Sequence, residues 1–214
     1  MKVCAIVVGG GAGTRLGGGT PKALRRLGGR RLYEHSVAAF RRAGCDVVAV
    51  LPPGCGGVAG GSTRLTTGGA TRHDSMRAGL AAVDPRCDIV LIHDAARPFV
   101  SVELIRRVVR AAAKTGAAVP ALSPPETVKQ VIGRRVRTLD RQTIRLAQTP
   151  QGFRSDKLRA AIARLGRRAR ALTDDVQLFE RLGWPVTVVE GDPRNVKLTY
   201  PGEWRRARQK FRSR

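Results

Sequence analysis

Short apolar runs alternate with amphipathic segments along most of this chain of 214 residues. Unbroken apolar runs are typical of strands that are buried on both faces of a parallel sheet. Apolar residues spaced three or four apart, in segments that end near glycine, favour helices. The predicted strands are 3–8, 46–51, 65–67, 88–92 and 117–122, and the predicted helices are 32–44, 71–83 and 102–115. This alternation predicts an α/β fold with a doubly wound, mostly parallel Rossmann-like sheet.

The rhythm changes between about 124 and 149. Residues 127–132 and 135–139 alternate polar and apolar positions around Gly133, as the two strands of a hairpin do. We therefore expect a β-arm that protrudes from the sheet, a feature typical of a lid or a dimer contact.

The regular pattern resumes after the arm. The predicted elements are helices at 155–165 and 174–182, strands at 185–190 and 195–198, and a basic C-terminal helix at about 201–214. Thr173 precedes the second of these helices, and threonine is a common N-cap residue. We expect residues 1–214 to form a single domain.

The composition limits where the protein works. With 42% hydrophobic residues the chain can bury a core, which aliphatic side chains must build because only 4% of residues are aromatic. No apolar run is long enough to cross a membrane, and Met1 leads directly into the first strand. We therefore expect a cytoplasmic protein with no membrane partner.

The cysteines form no C-x-x-C pair, which predicts buried free thiols at Cys4, Cys45, Cys55 and Cys87.

The formal net charge of +24 raises a different function class, a basic nucleic-acid-binding protein. Such a protein would show tight, salt-dependent binding to DNA or RNA and no enzymatic turnover. The cations are, however, spread along the chain, and only 205–214 is a dense basic block, with Trp204 and Phe211 as its aromatic neighbours. We therefore expect a basic solvated surface and no specific nucleic-acid partner.

A glycine-rich loop, VGGGAGTRLGGGTPK, runs from Val8 to Lys22 directly after the first predicted strand. Glycines let the backbone approach a ligand closely and expose successive N–H groups to phosphate oxygens. Arg15 and Lys22 add cations, and the loop contains no carboxylate. The loop therefore predicts a polyanion site. It is not a P-loop, because Ala23 follows Lys22, and its spacing also differs from G-x-G-x-x-G.

Two further segments, 68–75 and 93–98, follow predicted strands. Ligands of open α/β sheets bind outside the carboxyl ends of the strands, so all three segments are expected at one edge. Asp94 lies at a strand end there, and Mg²⁺ binds one or two carboxylates together with phosphate oxygens. Asp94 is therefore either a Mg²⁺ ligand beside a nucleotide or a carboxylate that caps its own loop.

An ordered set of motifs resembles the methylerythritol phosphate cytidylyltransferase family. The motifs are G-A-G-T-R-L at 11–16 with P-K at 21–22, G-G-A-T-R-H-D-S at 68–75, H-D-A-A-R-P at 93–98, D-R at 140–141, T-P-Q-G-F-R at 149–154, T-D-D at 173–175 and N-V-K-L-T at 195–199. The resemblance extends from Val3 to about Pro201. The first motif alone is similar to several nucleotidyltransferases, whereas the ordered set is specific. Ala23 and Ala70 depart from the family pattern, and neither departure removes a phosphate-binding cation.

The resemblance implies that an oxygen of methylerythritol phosphate attacks the α-phosphorus of CTP and releases pyrophosphate, with Mg²⁺ as cofactor. The second pKa of a phosphate monoester lies near ~6, so this reaction needs no general base. The histidines His35, His73 and His93 are accordingly expected to be structural.

The resemblance also implies residue roles. Arg15 and Lys22 would stabilise the transition state, and Arg154 and Lys197 would position the substrate phosphate. The implied CTP contacts are Gly9, Gly10, Gly11, Ala12, Gly13, Gly69, Arg72 and Ser75. The implied polyol-phosphate contacts are Asp94, Arg97, Thr138 and Arg141, with Asp94 also at the metal. On the residues alone, Lys197 is an outward-facing strand lysine, Arg154 flanks the following helix, and Arg72 is a first-turn helix residue.

Two expectations concern the partners. The arm, at about 126–145, resembles a dimerisation arm through which each subunit of a homodimer completes the active site of the other. The motifs specify the acceptor less well, because a ribitol phosphate cytidylyltransferase shares most of them. Turnover of the two polyol phosphates side by side distinguishes these alternatives.

Overall fold

The computed structural model describes residues 1–10, 19–55 and 63–212. The strands in these ranges are β1 (Val3–Val8), β2 (Arg26–Leu27), β3 (Arg30–Arg31), β4 (Asp46–Leu51), β5 (Thr63–Thr67), β6 (Ile89–Asp94), β7 (Ala117–Leu122), β8 (Lys129–Ile132), β9 (Arg135–Thr138), β10 (Leu146–Ala147), β11 (Gln151–Arg154) and β12 (Thr187–Glu190). The α-helices are α1 (Leu32–Arg42), α2 (Arg72–Ala82), α3 (Val102–Thr115), α4 (Ser155–Leu165), α5 (Gln177–Glu180) and α6 (Pro201–Arg212), and Lys22–Leu24 forms a 3₁₀ turn.

The central sheet has the strand order β10-β7-β11-β6-β1-β4-β5, and β12 pairs with β7 beside this path. β1 pairs in parallel with β4 and β6, β5 with β4, and β12 with β7. Two strands run the other way: β11 lies antiparallel between β6 and β7, and β10 pairs antiparallel with β7. The predicted mostly parallel α/β sheet is confirmed.

Side chains along each parallel strand point alternately to the two faces of the sheet. Ile6 packs in the core that α2 and α4 cover, and its neighbour Val7 packs in the core that α1 and α3 cover. Both side chains are fully buried. This two-sided burial explains why the β1 sequence is an unbroken apolar run, and it makes the sheet doubly wound.

Side-chain caps stabilise the first turn of two of the flanking helices. The Thr71 hydroxyl accepts a hydrogen bond from the backbone nitrogen of Asp74 at the start of α2. The Ser101 hydroxyl accepts one from Leu104 at the start of α3. That helix ends at Gly116, whose φ of 104° suits a residue without a side chain.

The parallel register aligns the carboxyl ends of the central strands. Val8 of β1 pairs with Val50 of β4 and with Asp94 of β6, and Val50 pairs with Thr66 of β5. The segments that follow β1, β5 and β6 therefore leave the sheet at one edge, as predicted.

The arm is a hairpin, as predicted, with β8 paired antiparallel to β9. All residues of both strands are exposed. Beyond the arm, the predicted helix at 174–182 with its Thr173 cap and the predicted strand at 195–198 differ from the structure, and one strand was missed. The helix expected at 174–182 is only Gln177–Glu180, and it has no side-chain cap from Thr173. The segment 195–198 is not a strand, and β11 was not predicted at all.

The cysteine prediction is wrong for one pair, because Cys4 and Cys87 form a disulfide. The two residues are 83 positions apart, but the pairing of Val3 with Ile89 brings their chains side by side. Cys45 is free and buried, and burial, with a contribution from Asp46, raises the pKa of its thiol to about 11. Cys55 is free, as predicted, but it is partly exposed and not buried.

The basic C-terminal segment is a helix with an apolar side. Trp204 and Ala207 of α6 pack with Leu27, Leu32 and Leu198 in a small separate core. α6 therefore anchors the segment around Leu198. Among the described residues, no helix combines the length and apolar character that a membrane span requires.

Candidate active site

A cavity of about 370 Å³ lies at the carboxyl edge of the sheet. It is lined by Val8, Gly9, Gly10, Lys22, Ala23, Leu32, Ala70, Thr71, Arg72, Ser75, Asp94, Ala95, Ala96 and Lys197. All three predicted loop segments contribute to this lining, and the segment after 194 adds Lys197. The described lining thus combines glycine backbone with three cations and one carboxylate.

The glycines keep one wall of the cavity close to α2. A Cβ on Gly10 would lie 2.7 Å from the Ser75 hydroxyl oxygen, and a Cβ on Gly69 would lie 2.5 Å from Cβ of Asp74. Real side chains do not tolerate such contacts, so only glycine allows this approach. The Ser75 hydroxyl also accepts a hydrogen bond from the backbone nitrogen of Gly69 at 3.2 Å, which ties the β5–α2 loop to the helix.

Asp94, the last residue of β6, holds two of the cations. Its Oδ2 lies 2.7 Å from Nζ of Lys197, and its Oδ1 accepts a bond from Nε of Arg72 at 3.3 Å. Burial by itself would raise the pKa of Asp94, but Arg72 and Lys197 outweigh it and hold that pKa well below its usual range. Asp94 is therefore a carboxylate at neutral pH, and it does not merely cap its own loop.

Arg72, the first residue of α2, bridges two carboxylates. Its Nη2 donates to Oδ2 of Asp175 at 2.6 Å while its Nε contacts Asp94. Burial by itself would lower the pKa of Arg72, but Asp175 and Asp94 outweigh it and raise that pKa. For Asp175, burial outweighs the attraction of Arg72 and raises the pKa. The T-D-D motif at 173–175 did not by itself indicate a role for Asp175.

A buried layer of hydrogen bonds supports the cavity from behind. The backbone nitrogen of Asp94 donates to the Thr149 hydroxyl at 3.1 Å, and that hydroxyl lies 3.0 Å from Nδ1 of His93. Nε2 of His93 lies 3.1 Å from the carbonyl oxygen of Arg97. Asn195 joins this layer by donating to the carbonyl of Thr149 at 2.7 Å. Both ring nitrogens of His93 take part in these buried hydrogen bonds, which agrees with the expected structural role.

The structure brings one group of predicted residues together at the cavity: Gly9, Gly10, Lys22, Arg72, Ser75, Asp94 and Lys197. Gly69 lies directly behind it through its bond to Ser75. Arg97 lies in the supporting layer, where its guanidinium donates to the carbonyls of Asn195 and Ala147. The predictions at Gly11, Ala12, Gly13 and Arg15 lie outside the described residues.

Thr138 and Arg141 lie in the arm region and do not line the cavity of their own chain. The Thr138 hydroxyl accepts a bond from Nζ of Lys129 at 2.6 Å, and Arg141 donates to the carbonyl of Pro125 at 3.0 Å. Both side chains are bonded within the arm region, where the chain is exposed.

The direction of β11 places Arg154 away from the cavity of its own chain, although the resemblance implied a contact with the substrate phosphate. This strand is antiparallel, so Gln151 pairs with Ile92 near the cavity whereas Arg154 pairs with Ile89 at the opposite edge. At about 3.3 Å per residue, that pairing position is about 16 Å from Asp94 along β6. Arg154 bonds to Asp156 and lines another cavity, of about 590 Å³. Arg154 directly precedes α4, so it flanks the following helix, which was the alternative expected from the residues alone.

The donor set at the cavity decides what kind of metal site is possible. Asp94 is the one carboxylate in the lining, and the described ranges contain no group of three His, Cys, Asp or Glu side chains that could hold a metal. Mg²⁺ keeps several waters and binds substrate phosphates with one or two carboxylates. The residues therefore fit a Mg²⁺ that arrives with a triphosphate, and they do not fit a metal held by the protein alone.

A family model described as 2-C-methyl-D-erythritol 4-phosphate cytidylyltransferase matches residues 3–213. The chain belongs to this family. The resemblance that the ordered motifs predicted is confirmed, and the protein is a cytidylyltransferase by family.

Relatives and solved structures agree with this membership. The 2-C-methyl-D-erythritol 4-phosphate cytidylyltransferase of Thermus thermophilus is 44% identical over 202 residues, which cover 94% of this chain and 93% of the relative. A crystal structure of the enzyme from Thermus thermophilus has a TM-score of 0.85 at 40% identity, and the match covers 99% of this chain and 100% of that one. A bifunctional IspD/IspF enzyme of Anaeromyxobacter dehalogenans is also 44% identical, and the match covers 97% of this chain and 56% of that enzyme.

Proposed function

We propose that this protein transfers the cytidylyl group of CTP to 2-C-methyl-D-erythritol 4-phosphate and releases pyrophosphate, a step of isoprenoid precursor synthesis. The proposal is carried by one observation: Lys22, Arg72, Asp94 and Lys197 meet at a glycine-walled cavity in a member of the cytidylyltransferase family. The three cations and one carboxylate among the described lining residues favour a polyanionic substrate together with a divalent cation.

In the proposed reaction an oxygen of the acceptor phosphate forms a bond to the α-phosphorus of CTP. The bond from that phosphorus to the bridging oxygen breaks, and its electron pair leaves with pyrophosphate. The acceptor oxygen is ionised at neutral pH, so no proton has to be removed from it. The burial of His93, which lowers its pKa to about 4, agrees with a reaction that uses no histidine base.

The chain's part in this reaction is alignment and charge stabilisation. Lys22 would stabilise the negative charge that develops on the α-phosphate, and Lys197 would bind the acceptor phosphate after leaving Asp94. Gly10 and Ser75 would limit the width of the slot that receives the cytosine base. Asp94 is the residue that would hold Mg²⁺, which, when bound, supplies positive charge to the triphosphate.

The arm supports a homodimer. Val131, Ile132 and Val136 on the hairpin are 64%, 67% and 65% exposed, so the arm presents apolar surface that a partner subunit could bury. We propose that Thr138 and Arg141, which do not reach the cavity of their own chain, complete the polyol-phosphate site of the partner. We further propose that the enzyme works in the cytoplasm, because its substrate CTP is an intracellular nucleotide.

The test is pyrophosphate release from CTP and Mg²⁺ with three acceptors in parallel: 2-C-methyl-D-erythritol 4-phosphate, ribitol 5-phosphate and none. Release that requires 2-C-methyl-D-erythritol 4-phosphate, with the cytidylylated product identified by mass, supports the proposal. Preference for ribitol 5-phosphate would keep the chemistry and overturn the acceptor. No release with either acceptor, combined with salt-dependent nucleic-acid binding, would favour the alternative that the net charge raised.

A further inference from the structure

The segment 173–175 places one carboxylate beneath the cavity without exposing it. Asp175 is 3% exposed and does not line the cavity. Its Oδ2 nevertheless accepts a 2.6 Å bond from Nη2 of Arg72, which does line it. A charge-assisted bond of this length is among the stronger contacts available to a side chain. Within the described part of the chain, Asp175 thus bonds to the cavity lining through Arg72.

A second contact fixes the backbone of Asp175 in place. Oε1 of Gln151 accepts hydrogen bonds from the backbone nitrogens of Asp175 and Val176, both at 3.1 Å. Gln151 is itself 2% exposed and begins β11, paired with Ile92 of β6. The carboxylate is therefore attached to the central sheet, and it has little freedom to follow Arg72 if that side chain moves.

Arg72 has a competing partner in Asp94. Nε of Arg72 lies 3.3 Å from Oδ1 of Asp94, and Nζ of Lys197 lies 2.7 Å from Oδ2. The contacts of Asp94 with Arg72 and Lys197 have to weaken before Asp94 can bind an incoming ligand. Without Asp175, Arg72 would pair with Asp94 alone, which would neutralise both groups and turn the guanidinium away from a bound triphosphate.

We infer that Asp175 is a positioning residue of the CTP site: it holds the Arg72 guanidinium at the cavity wall so that Asp94 can release it to the nucleotide. This inference deepens the proposed function and rests on Arg72 contacting CTP. A role in positioning predicts an effect on nucleotide binding rather than on the chemical step. KM for CTP should therefore change more than kcat.

The first test is Asp175→Asn, which keeps the side-chain shape and removes the charge. We expect KM for CTP to rise about tenfold, as the loss of one charge-assisted hydrogen bond predicts, with kcat within about twofold of wild type. Asp174→Asn is the matched control, because it makes the same change at the next residue, whose carboxylate bonds to Val176 and not to Arg72. An equal effect of the two variants would overturn the inference.

A double-mutant cycle separates positioning from a general structural role. Asp175→Asn is measured in the wild type and in an Arg72→Ala background. If Asp175 acts through Arg72, the tenfold effect on KM disappears in that background. If Asp175→Asn raises KM equally in both, or lowers kcat with KM unchanged, the inference is wrong.

Arg72→Lys tests the inference without any substitution in the segment 173–175. A lysine keeps the charge but is a point donor that cannot bridge two carboxylates as a guanidinium does. We expect KM for CTP to rise as in Asp175→Asn, and wild-type KM in this variant would contradict the inference.

Calorimetric titration with CTP and Mg²⁺ reports the same loss of affinity without an acceptor. If the wild type bound CTP but used neither acceptor, the proposed function would fail while this inference could still be judged.

Discussion

The hydroxyl oxygen of Thr149 lies 3.0 Å from Nδ1 of His93, in the buried layer behind the cavity. That hydroxyl accepts from the backbone nitrogen of Asp94. The carbonyl oxygen of Arg97, 3.1 Å from Nε2, can only accept, so the neutral ring carries its proton on Nε2. Nδ1 is therefore the acceptor nitrogen, and Nε2 carries the proton that it donates to the carbonyl of Arg97. A neutral imidazole completes this chain of hydrogen bonds, whereas an imidazolium would lose the bond from Thr149.

This arrangement predicts a pH dependence of the free energy of unfolding. Burial lowers the pKa of His93 from 6.5 to about 4, so between these values the unfolded chain binds a proton that the native protein does not. The stability due to neutral His93 is complete above pH 6.5 and is lost as the pH falls toward 4, by at most about 3 kcal/mol. Urea unfolding at about pH 7 and about pH 4.5 measures the difference, and His93→Gln should lose less stability than wild type over this interval. Equal losses in the two proteins would contradict the prediction.

Lys22→Ala should lower kcat about 100-fold or more, with KM for CTP changed by less than about threefold. The reason is that the proposed role of Lys22 is to stabilise charge that develops only in the transition state. Initial rates over a range of CTP concentrations measure both constants. Lys114→Ala, at an exposed position near the end of α3, is the control for the loss of one lysine. A rise in KM alone would make Lys22 a binding residue.

Arg154→Ala should leave kcat/KM within about twofold of wild type, although the family resemblance suggested a role at the substrate phosphate. Its guanidinium bonds to Asp156 at the far edge of the sheet. That ion pair is half-exposed, and such pairs contribute little to stability, so we also expect Tm to change by no more than a few degrees. A tenfold loss of activity in the folded variant would show that Arg154 reaches an active site after all.

Arg141→Ala should be strongly impaired if the arm completes the partner's site, and mixing it with Lys22→Ala should restore activity. In a mixed dimer, one cavity keeps its own Lys22 and receives Arg141 from the other subunit's arm, so it is intact. Equal mixing and subunit exchange should recover about a quarter of wild-type activity, because half of the dimers are mixed and each has one intact site. No recovery, despite proof of mixed dimers by native mass spectrometry, would place Arg141 and Lys22 in the same subunit's site.

Elements whose formation depends on near neighbours could be predicted from the amino-acid sequence alone. The predicted bounds of α3, β7 and α4 agree with the structure, because helix caps and unbroken apolar runs are local signals. The gathering of the segments after β1, β5 and β6 at one edge also followed from the alternation of strands and helices. This was enough to predict a polyanion site with Arg15 and Lys22 in the glycine-rich loop and to place Asp94 at the same edge.

Contacts between residues far apart in the sequence could be seen only in the folded chain. The side-chain pattern of a strand is the same whichever way the strand runs, so the sequence could not reveal that β11 is antiparallel and carries Arg154 away from the cavity. Arg72 and Asp175 are 103 residues apart, and Cys4 and Cys87 are 83 apart. Such contacts are fixed by strand order and burial, which depend on the packing of the whole chain rather than on any local stretch of it.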